Sequence, residues 1–108
     1  MPFKKEDSAY YFIDTPDGPL HIHLDHVDKK ITRIFLNLAP IGSEMSGMTS
    51  ALGIILSKFI EKGGEPLDLI KHLASIKGSQ VTYFDSTPVE SIPQAISIAL
   101  EKFKTQYE

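Results

Sequence analysis

Hydrophobic and polar residues alternate along the first third of the chain, which predicts a run of β-strands. The alternation is carried by residues 9–14 (AYYFID), 20–26 (LHIHLDH) and 31–38 (ITRIFLNL). A period of two places successive side chains on opposite faces of a strand. Pro, Gly and Asp in the short intervening segments favour tight turns. Three consecutive strands joined by short turns predict an antiparallel meander.

Apolar residues recur at helical spacing from about residue 44 onward. Intervals of three and four residues form an apolar stripe that consists of Met45, Met48, Leu52, Ile55 and Phe59. Ala51 and Ile54 lie off this stripe, so the helix is apolar on more than one side, a pattern typical of a helix buried by two partners. Gly63 and Gly64 predict the end of the helix, because glycine readily adopts the left-handed conformation of a C′ residue.

Two further helices are predicted in the second half of the chain. Glu65 and Pro66 begin the first of them, and Gly78 ends it. Its apolar face consists of Leu69, Ile70, Leu73 and Ile76. Ser91 and Gln94 form a capping-box pattern at the start of the last helix. The predicted buried side of that helix consists of Ile92, Ala95, Ile96, Ala99 and Phe103.

A short fourth strand is predicted at residues 80–84 (QVTYF), and a loop is predicted at residues 85–90. Strands that come first and helices that follow are typical of α+β domains. The predicted fold class is therefore α+β, with an antiparallel meander of three or four strands covered on one face by about three helices.

Length and composition fit one small globular domain. The chain has 108 residues, of which 42% are hydrophobic and 23% are charged. We place the domain at residues 9–108, with residues 1–8 as a flexible N-terminus. The net charge of −3 argues against a nucleic-acid-binding protein that depends on phosphate contacts. The absence of cysteine excludes disulfides, thiolate nucleophiles and cysteine-based zinc sites.

Neither a signal peptide nor a transmembrane helix fits the sequence. Residues 1–12 (MPFKKEDSAYYF) are charged and lack an apolar h-region. Ser57 and Lys58 interrupt the longest strongly apolar stretch, which leaves it too short to cross a membrane. We therefore expect a cytoplasmic protein without a membrane partner.

Small polar residues cluster where the third strand leads into the first helix, at residues 37–53 (NLAPIGSEMSGMTSALG). Free backbone N–H groups of a first helical turn, together with nearby hydroxyl groups, can hold an anion. The alternative is structural: Ser43 caps the helix, Asn37 holds the loop, and Gly47 and Gly53 permit close packing. The candidate ligand-binding residues are Asn37, Gly42, Ser43, Ser46 and Thr49.

Two histidines and an aspartate share one face of the second strand. His21, His23 and Asp25 follow each other at intervals of two residues, and such side chains can bind Zn²⁺ or Fe²⁺. The alternative is a strand face that meets solvent or another subunit, because neighbours on a flat strand form a loose ligand set. The sequence has no Gly-x-Ser-x-Gly nucleophile motif. We expect a protein that is not an enzyme and that uses no cofactor.

Assembly is a further expectation. A helix that is apolar on more than one side exposes apolar surface, and a meander exposes unpaired strand edges. A partner that buries these surfaces would stabilise both. Tyr10, Tyr11, Phe12 and Phe35 add aromatic surface near the sheet. We expect a homo-oligomer, with a dimer as the first candidate.

Residues 34–78 (IFLNLAPIGSEMSGMTSALGIILSKFIEKGGEPLDLIKHLASIKG) and 91–103 (SIPQAISIALEKF) resemble the TSCPD domain. That family has a strand that reads roughly VFINLGKSGS, helices that contain ALGRLISLAL and GVPLEEIIKQLKGI, and a final SCPDAIAKALE motif. The resemblance covers about residues 9–105. The matching positions are Phe35, Leu36, Asn37, Leu38, Gly42, Ser43, Ala51, Leu52, Gly53, Gly64, Pro66, Ile70, Leu73 and Ile76.

This sequence departs from the family pattern at its cysteines. Ile92 stands where the last motif has Cys, Gln94 stands where it has Asp, and Gly78 stands where a Cys often follows the second helix. The resemblance therefore implies the shape of the domain without thiol chemistry. The TSCPD domain follows the catalytic part of many cobalamin-dependent ribonucleotide reductases, and it also occurs as small stand-alone proteins.

The resemblance implies a non-catalytic, stand-alone binding module that is accessory or regulatory in ribonucleotide reduction or nucleotide metabolism. Its expected partners are a nucleotide-like ligand or a reductase subunit. An alternative is a small oligomeric protein that binds or sequesters a phosphorylated, nucleotide-like ligand and has no connection to a reductase. A third hypothesis is a metal-binding protein that uses the His and Asp row of the second strand.

Overall fold

The computed structural model describes residues 6–107 and has an α+β fold, so the predicted fold class is confirmed. Its strands are β1 (Asp7–Thr15), β2 (Gly18–Val27), β3 (Lys30–Leu38), β4 (Thr82–Phe84) and β5 (Thr87–Val89). Its helices are α1 (Glu44–Glu61), α2 (Ile70–Ala74), which a 3₁₀ turn at Pro66–Leu69 precedes, and α3 (Ile92–Tyr107). Of the segment 1–8 that we predict to be flexible, residues 1–5 lie outside the described residues, and Asp7 and Ser8 begin β1.

The first three strands form the predicted antiparallel meander, in the order β1-β2-β3. A two-residue turn joins β2 to β3, with φ values of +52° at Asp28 and +66° at Lys29. The register shifts once, between Asp25 and His26 of β2, which leaves Thr32 of β3 without a direct partner. This bulge lets Ile31 and Ile34 both reach the core, although they are three positions apart and a regular strand would place them on opposite faces.

The core lies between one face of the meander and helix α3. The meander contributes Ile13, Leu20, Ile22, Leu24, Ile34, Leu36 and Leu38. Helix α3 contributes Ile92, Ala95, Ile96, Ala99, Leu100 and Phe103, which include all five residues predicted for its buried side. Burial of these side chains supplies the main stabilising free energy of the domain.

The start of α3 also ties down the chain that precedes it. Ser91 Oγ accepts a hydrogen bond from the Gln94 N–H group (3.1 Å), so the predicted N-cap is confirmed. The Gln94 side chain accepts a hydrogen bond at Oε1 from the Glu90 N–H group (2.8 Å) and donates from Nε2 to the Ala74 carbonyl oxygen (3.0 Å). Ser91 Oγ donates to the Ile76 carbonyl oxygen (2.6 Å). These bonds fasten the end of α2 to the first turn of α3.

The connection between α2 and α3 differs from the prediction. Strand β4 pairs with β5 in a separate two-stranded sheet, so residues 85–90 are not a simple loop and β4 is not a fourth strand of the meander. The turn residues Asp85 and Ser86 have φ values of +47° and +70°, a hairpin conformation that the sequence conceals because it contains no glycine. Ile76 lies beyond the end of α2 and is exposed.

Helix α1 packs on β3 through small residues rather than through its apolar stripe. Its buried residues are Ser46, Thr49, Gly53 and Leu56. Of the predicted stripe, Leu52 is half-buried, whereas Met45, Met48, Ile55 and Phe59 are exposed. The end of the helix follows the prediction, since Gly63 has φ +97° and Gly64 N–H donates to the Phe59 carbonyl oxygen (2.9 Å).

The contact between α1 and β3 is close enough to involve backbone atoms. Ser57 Oγ accepts a hydrogen bond from Ile34 N–H and donates one to the Ile34 carbonyl oxygen, both at 3.0 Å. One helical turn earlier, a Cβ atom at Gly53 would lie 3.4 Å from the Leu36 nitrogen and 3.5 Å from the Ile34 oxygen. The N–H and C=O groups of Ile34 point away from β2 and have no strand partner. They therefore form hydrogen bonds with the Ser57 side chain of α1.

We expect Ser57→Ala to lower the free energy of unfolding by about 1–2 kcal/mol, because both backbone groups of Ile34 lose their partner. Urea unfolding followed by circular dichroism measures this change. Ser50→Ala is the matched control, since Ser50 is exposed on the same helix and the two changes alter helix propensity equally. Equal stability of the two variants would contradict the role of Ser57.

Candidate functional site

A groove of about 800 Å³ runs between the outer edge of β3 and helix α1. Strand β3 is an edge strand of the meander, and α1 covers its edge only in part. One wall of the groove comes from β3 and includes Arg33, Phe35 and Asn37. The other wall comes from α1 and includes Ser50, Ile54 and Lys58. Ligand pockets in proteins usually have volumes of about 300–1,000 Å³, so the groove has the size of a small-molecule site.

The side chains of the groove combine an aromatic ring with polar and charged groups. Phe35 is 45% exposed, and the Arg33 guanidinium lies 5.8 Å from the centre of its ring. Asn37 follows Phe35 on the same face of β3 and is exposed. Lys58 lines the groove from the helix side. The ring offers a stacking surface, Asn37 offers an amide, and the two cations attract an anion.

The charges of the groove are only loosely paired. Lys58 Nζ lies 3.2 Å from Glu61 Oε2. The Arg33 guanidinium lies 3.5 Å from a Glu6 carboxylate oxygen and 4.0 Å from an Asp25 carboxylate oxygen. Exposed ion pairs of this kind stabilise a protein by no more than about 1 kcal/mol. Both cations can therefore turn toward a bound anion at a small cost in free energy.

The predicted ligand-binding residues separate into two groups. Asn37 lines the groove, whereas Gly42, Ser43, Ser46 and Thr49 lie at the start of α1. Ser43 Oγ accepts a hydrogen bond from Ser46 N–H (3.0 Å) and donates to the Pro40 carbonyl oxygen (3.1 Å). Ser46 is buried, and buried Thr49 donates to the Met45 carbonyl oxygen (2.7 Å). Ser43 is thus the N-cap of α1, and ligand binding by these five residues stays a prediction.

The two glycines of α1 differ in their role. Gly53 packs against the backbone of β3, so the expectation of close packing is confirmed there. Gly47 has open space where a Cβ atom would lie, so the same expectation is wrong for Gly47. Its position on the exposed side of the helix accounts for the difference.

The His row of β2 lies on the uncovered face of the meander. The Tyr10 hydroxyl and His21 Nδ1 share a hydrogen bond (2.6 Å), and the centre of the Tyr10 ring lies 4.8 Å from that of the His23 ring. Asp25 lies beside Arg33 rather than beside the histidines. Residues 6–107 contain no group of three or more His, Asp or Glu side chains that could hold a metal ion. The row therefore belongs to an aromatic surface rather than to a recognisable metal site.

Sequence analysis missed the α1 side of the groove. The apolar periodicity of the helix gives no indication of Ser50, and it shows Ser57 and Lys58 only as an interruption of an apolar stretch. A signal was present, since the small residues Ser46, Ser50, Gly53 and Ser57 follow each other at intervals of three and four. A helix with such a strip can approach a strand more closely than an apolar face allows.

Comparison with known protein families gave one match. The family model of the TSCPD domain matches residues 4–104 of the 108-residue chain. The chain belongs to the TSCPD domain family. Searches of curated proteins and of solved structures each found no significant match.

The three positions at which this TSCPD domain departs from the family pattern have structural roles. Ile92 is buried in the core, and Gln94 holds the end of α2 through its amide group. At Gly78, a Cβ atom would lie 2.5 Å from the Glu90 carbonyl oxygen, so a larger residue would force the chain apart.

No helix within residues 6–107 is both long enough and apolar enough to cross a membrane.

A second, smaller hollow of about 480 Å³ lies between β1 and α3 of the TSCPD domain. Tyr11 lines it, and the Tyr11 hydroxyl oxygen is buried and has no hydrogen-bond partner among residues 6–107. Burial raises the pKa of Tyr11 above its ordinary value of 10.0, and the nearby Tyr107 raises that pKa further. Both effects disfavour the charged phenolate.

This raised pKa predicts a loss of stability in alkaline solution. Above pH 10 the unfolded chain releases the Tyr11 proton, whereas the folded domain keeps it until the pH reaches its raised pKa. The contribution of Tyr11 to the free energy of unfolding is therefore fully present below pH 10. It is lost as the pH rises from 10 through the raised pKa of the folded domain. We expect Tyr11→Phe to flatten this fall above pH 10, as measured by thermal unfolding at a series of pH values. Tyr83→Phe, at an exposed tyrosine, is the control, and identical pH profiles of the two variants would contradict the prediction.

Proposed function

We propose that this TSCPD domain is a non-catalytic binding module that holds a nucleotide in the groove between β3 and α1. The observation that carries the proposal is the convergence of Phe35, Asn37, Arg33 and Lys58 on one groove. A nucleotide presents a planar base, polar base edges and an anionic phosphate. The groove offers a complementary group for each of these parts.

The aromatic ring supports the binding of a base. Stacking of a base on an exposed aromatic side chain contributes about 1–3 kcal/mol. Phe35 lies on the open face of β3, with Arg33 and Asn37 two residues away on either side. Asn37 can therefore hydrogen-bond to a base edge while Phe35 contacts the plane of the base.

The cations support the binding of a phosphate. The described lining of the groove contains two cations, Arg33 and Lys58. Each of them has carboxylate neighbours, so a bound phosphate would take the place of Glu6 and Asp25 at Arg33 and of Glu61 at Lys58. Arginine and lysine are the usual side chains that bind phosphate groups.

The proposed process is ribonucleotide reduction or nucleotide metabolism, in an accessory or regulatory role. Family membership supports this part of the proposal, because the TSCPD domain accompanies cobalamin-dependent ribonucleotide reductases. The content of the groove supports binding without catalysis, since its described lining contains neither His nor Cys. The bound nucleotide would then act as a signal or as stored material rather than as a substrate.

We expect Phe35→Ala to weaken nucleotide binding at least tenfold, which corresponds to a loss of about 1.4 kcal/mol of stacking. Isothermal titration with ribonucleoside and deoxyribonucleoside mono-, di- and triphosphates measures the affinity. The matched control is Phe12→Ala, because Phe12 is also 45% exposed on the same sheet face and does not line the groove. Lys58→Gln tests the phosphate contact and should reduce the salt dependence of binding.

Two results would contradict the groove as the nucleotide site. One is equal affinity of Phe35→Ala and Phe12→Ala for every nucleotide that binds the wild type. The other is loss of binding in Ser43→Glu alone, which would place the anion at the start of α1 instead. If no nucleotide of the panel binds the wild-type protein, the proposal fails.

The accessory role needs a separate experiment. Native mass spectrometry of the protein mixed with the ribonucleotide reductase of the same organism, with and without the bound nucleotide, detects a complex. A complex whose amount changes with the nucleotide would support a regulatory role. Nucleotide binding without any reductase complex would favour a protein that sequesters a nucleotide independently of a reductase.

A further inference from the structure

Helix α1 carries a row of five large apolar side chains, of which four are exposed and the central one, Leu52, is half-buried against the core. We name as the α1 stripe the residues Met45, Met48, Leu52, Ile55 and Phe59. Met48 and Ile55 are 65% and 63% exposed, and Met45 and Phe59 are also exposed. Contiguous apolar surface of this kind marks an interaction site in soluble proteins. The stripe lies beside the groove on α1, and the inference below does not depend on the proposed nucleotide site.

The spacing of the α1 stripe fits another helix. Its residues follow intervals of three, four, three and four, which is the a and d pattern of a coiled-coil seam. Such a seam packs against a second helix that crosses it at a shallow angle. The stripe extends over 15 residues of an 18-residue helix, or about 21 Å from first to last at 1.5 Å per residue. It is therefore long enough for a contact of four turns.

The charges at the two ends of α1 identify the orientation of that second helix. Glu44 begins the helix, and Lys58 and Lys62 lie at its other end; all three are exposed. In an antiparallel pair of α1 helices, Glu44 of each copy lies near Lys62 of the other. In a parallel pair, Glu44 would face Glu44 and Lys62 would face Lys62. Antiparallel helices also place the positive end of each helix dipole beside the negative end of the other.

The α1 stripe has the symmetry that such a pair requires. Leu52 lies seven residues after Met45 and seven residues before Phe59. A two-fold axis beside Leu52 therefore brings Met45 of one copy toward Phe59 of the other, and Met48 toward Ile55. Both copies use the same surface, as a two-fold dimer demands. Phe59 is held in place by packing on Gly64, where a Cβ atom would lie 2.4 Å from its ring.

We infer that this chain forms a two-fold dimer through its α1 stripe, with the two α1 helices antiparallel. The occupant of the stripe is thus a second copy of the chain. The dimer leaves both grooves open, because the groove is lined by the neighbouring face of α1, which includes Ser50, Gly53 and Ser57. Lys58 borders both surfaces, so the tests below avoid it.

The first test measures the oligomeric state by sedimentation velocity over a range of protein concentrations. We expect a dimer for the wild type and at least a tenfold higher dissociation constant for Ile55→Asp, because the carboxylate would lie in the seam. Tyr83→Asp is the matched control, since Tyr83 is 64% exposed on the β4–β5 hairpin, and it should dimerise like the wild type. Circular dichroism verifies that each variant is folded.

The second test determines the orientation and uses the absence of native cysteine. Met48→Cys and Ile55→Cys are prepared with tags of different mass and are oxidised separately and as a mixture. The antiparallel dimer predicts a disulfide-linked heterodimer in the mixture and little linked product from either variant alone. A parallel dimer predicts linked homodimers of each variant and little mixed product, because each cysteine would then lie opposite the same residue of the second copy.

Three outcomes would overturn the inference. One is a wild-type protein that is monomeric up to about 1 mM, and a second is a dimer that Ile55→Asp leaves unchanged. The third is a disulfide between identical cysteines in preference to the mixed pair. A folded Ile55→Asp monomer together with the mixed disulfide would establish the antiparallel α1 dimer.

Discussion

The outer edge of β3 imposes the constraint on which the rest of this structure depends. An edge strand presents backbone N–H and C=O groups that need partners, and within residues 6–107 no fourth strand pairs with this edge to supply them. Helix α1 supplies them instead, because the Ser57 hydroxyl bonds to both backbone groups of Ile34. A helix can make that contact only if its facing residues are small. Ser46, Thr49 and Gly53 meet this requirement.

The close contact between α1 and β3 also determines which way the other side chains of α1 face. Because Ser46, Thr49 and Gly53 occupy most of the side that faces the sheet, many of the large apolar residues of the helix lie on its outer side. Because α1 covers the edge of β3 only in part, a groove remains between the two elements. The Ser57 hydroxyl holds these two walls of the groove together. The same close contact thus positions both the groove and the outward apolar row. A variant that loosened α1 from β3 would disturb both surfaces at once.

Most of the fold is visible in the sequence, and the errors have physical causes. Alternation identified the meander, and helical spacing located α1 and α3, because both patterns follow directly from backbone geometry. The direction in which α1 faces was not predictable from apolar spacing, since such spacing does not distinguish a core from an interface between molecules. The β4–β5 hairpin was missed because Asp85 and Ser86 adopt positive φ without glycine.

The candidate site was less accessible to sequence analysis than the fold. Asn37 was identified from the end of its strand, but its neighbours in the groove come from a helix more than ten residues further along the chain. Only the packing of α1 on β3 brings Phe35 and Lys58 to the same groove. The polar residues at the start of α1 attracted attention because they are consecutive, and the structure uses Ser43 to cap the helix.

Gln94 closes the chain between α2 and α3 into a ring of hydrogen bonds. Its two amide atoms bond to Glu90 and Ala74, and Ser91 reaches Ile76, so both ends of the hairpin segment meet at one turn of α3. An aspartate, which the family motif has at this position, is shorter by one methylene group and offers no N–H donor. Opening of the hairpin segment at both of its ends breaks the hydrogen bonds of Gln94 and Ser91, so we expect the hairpin and the first turn of α3 to open together.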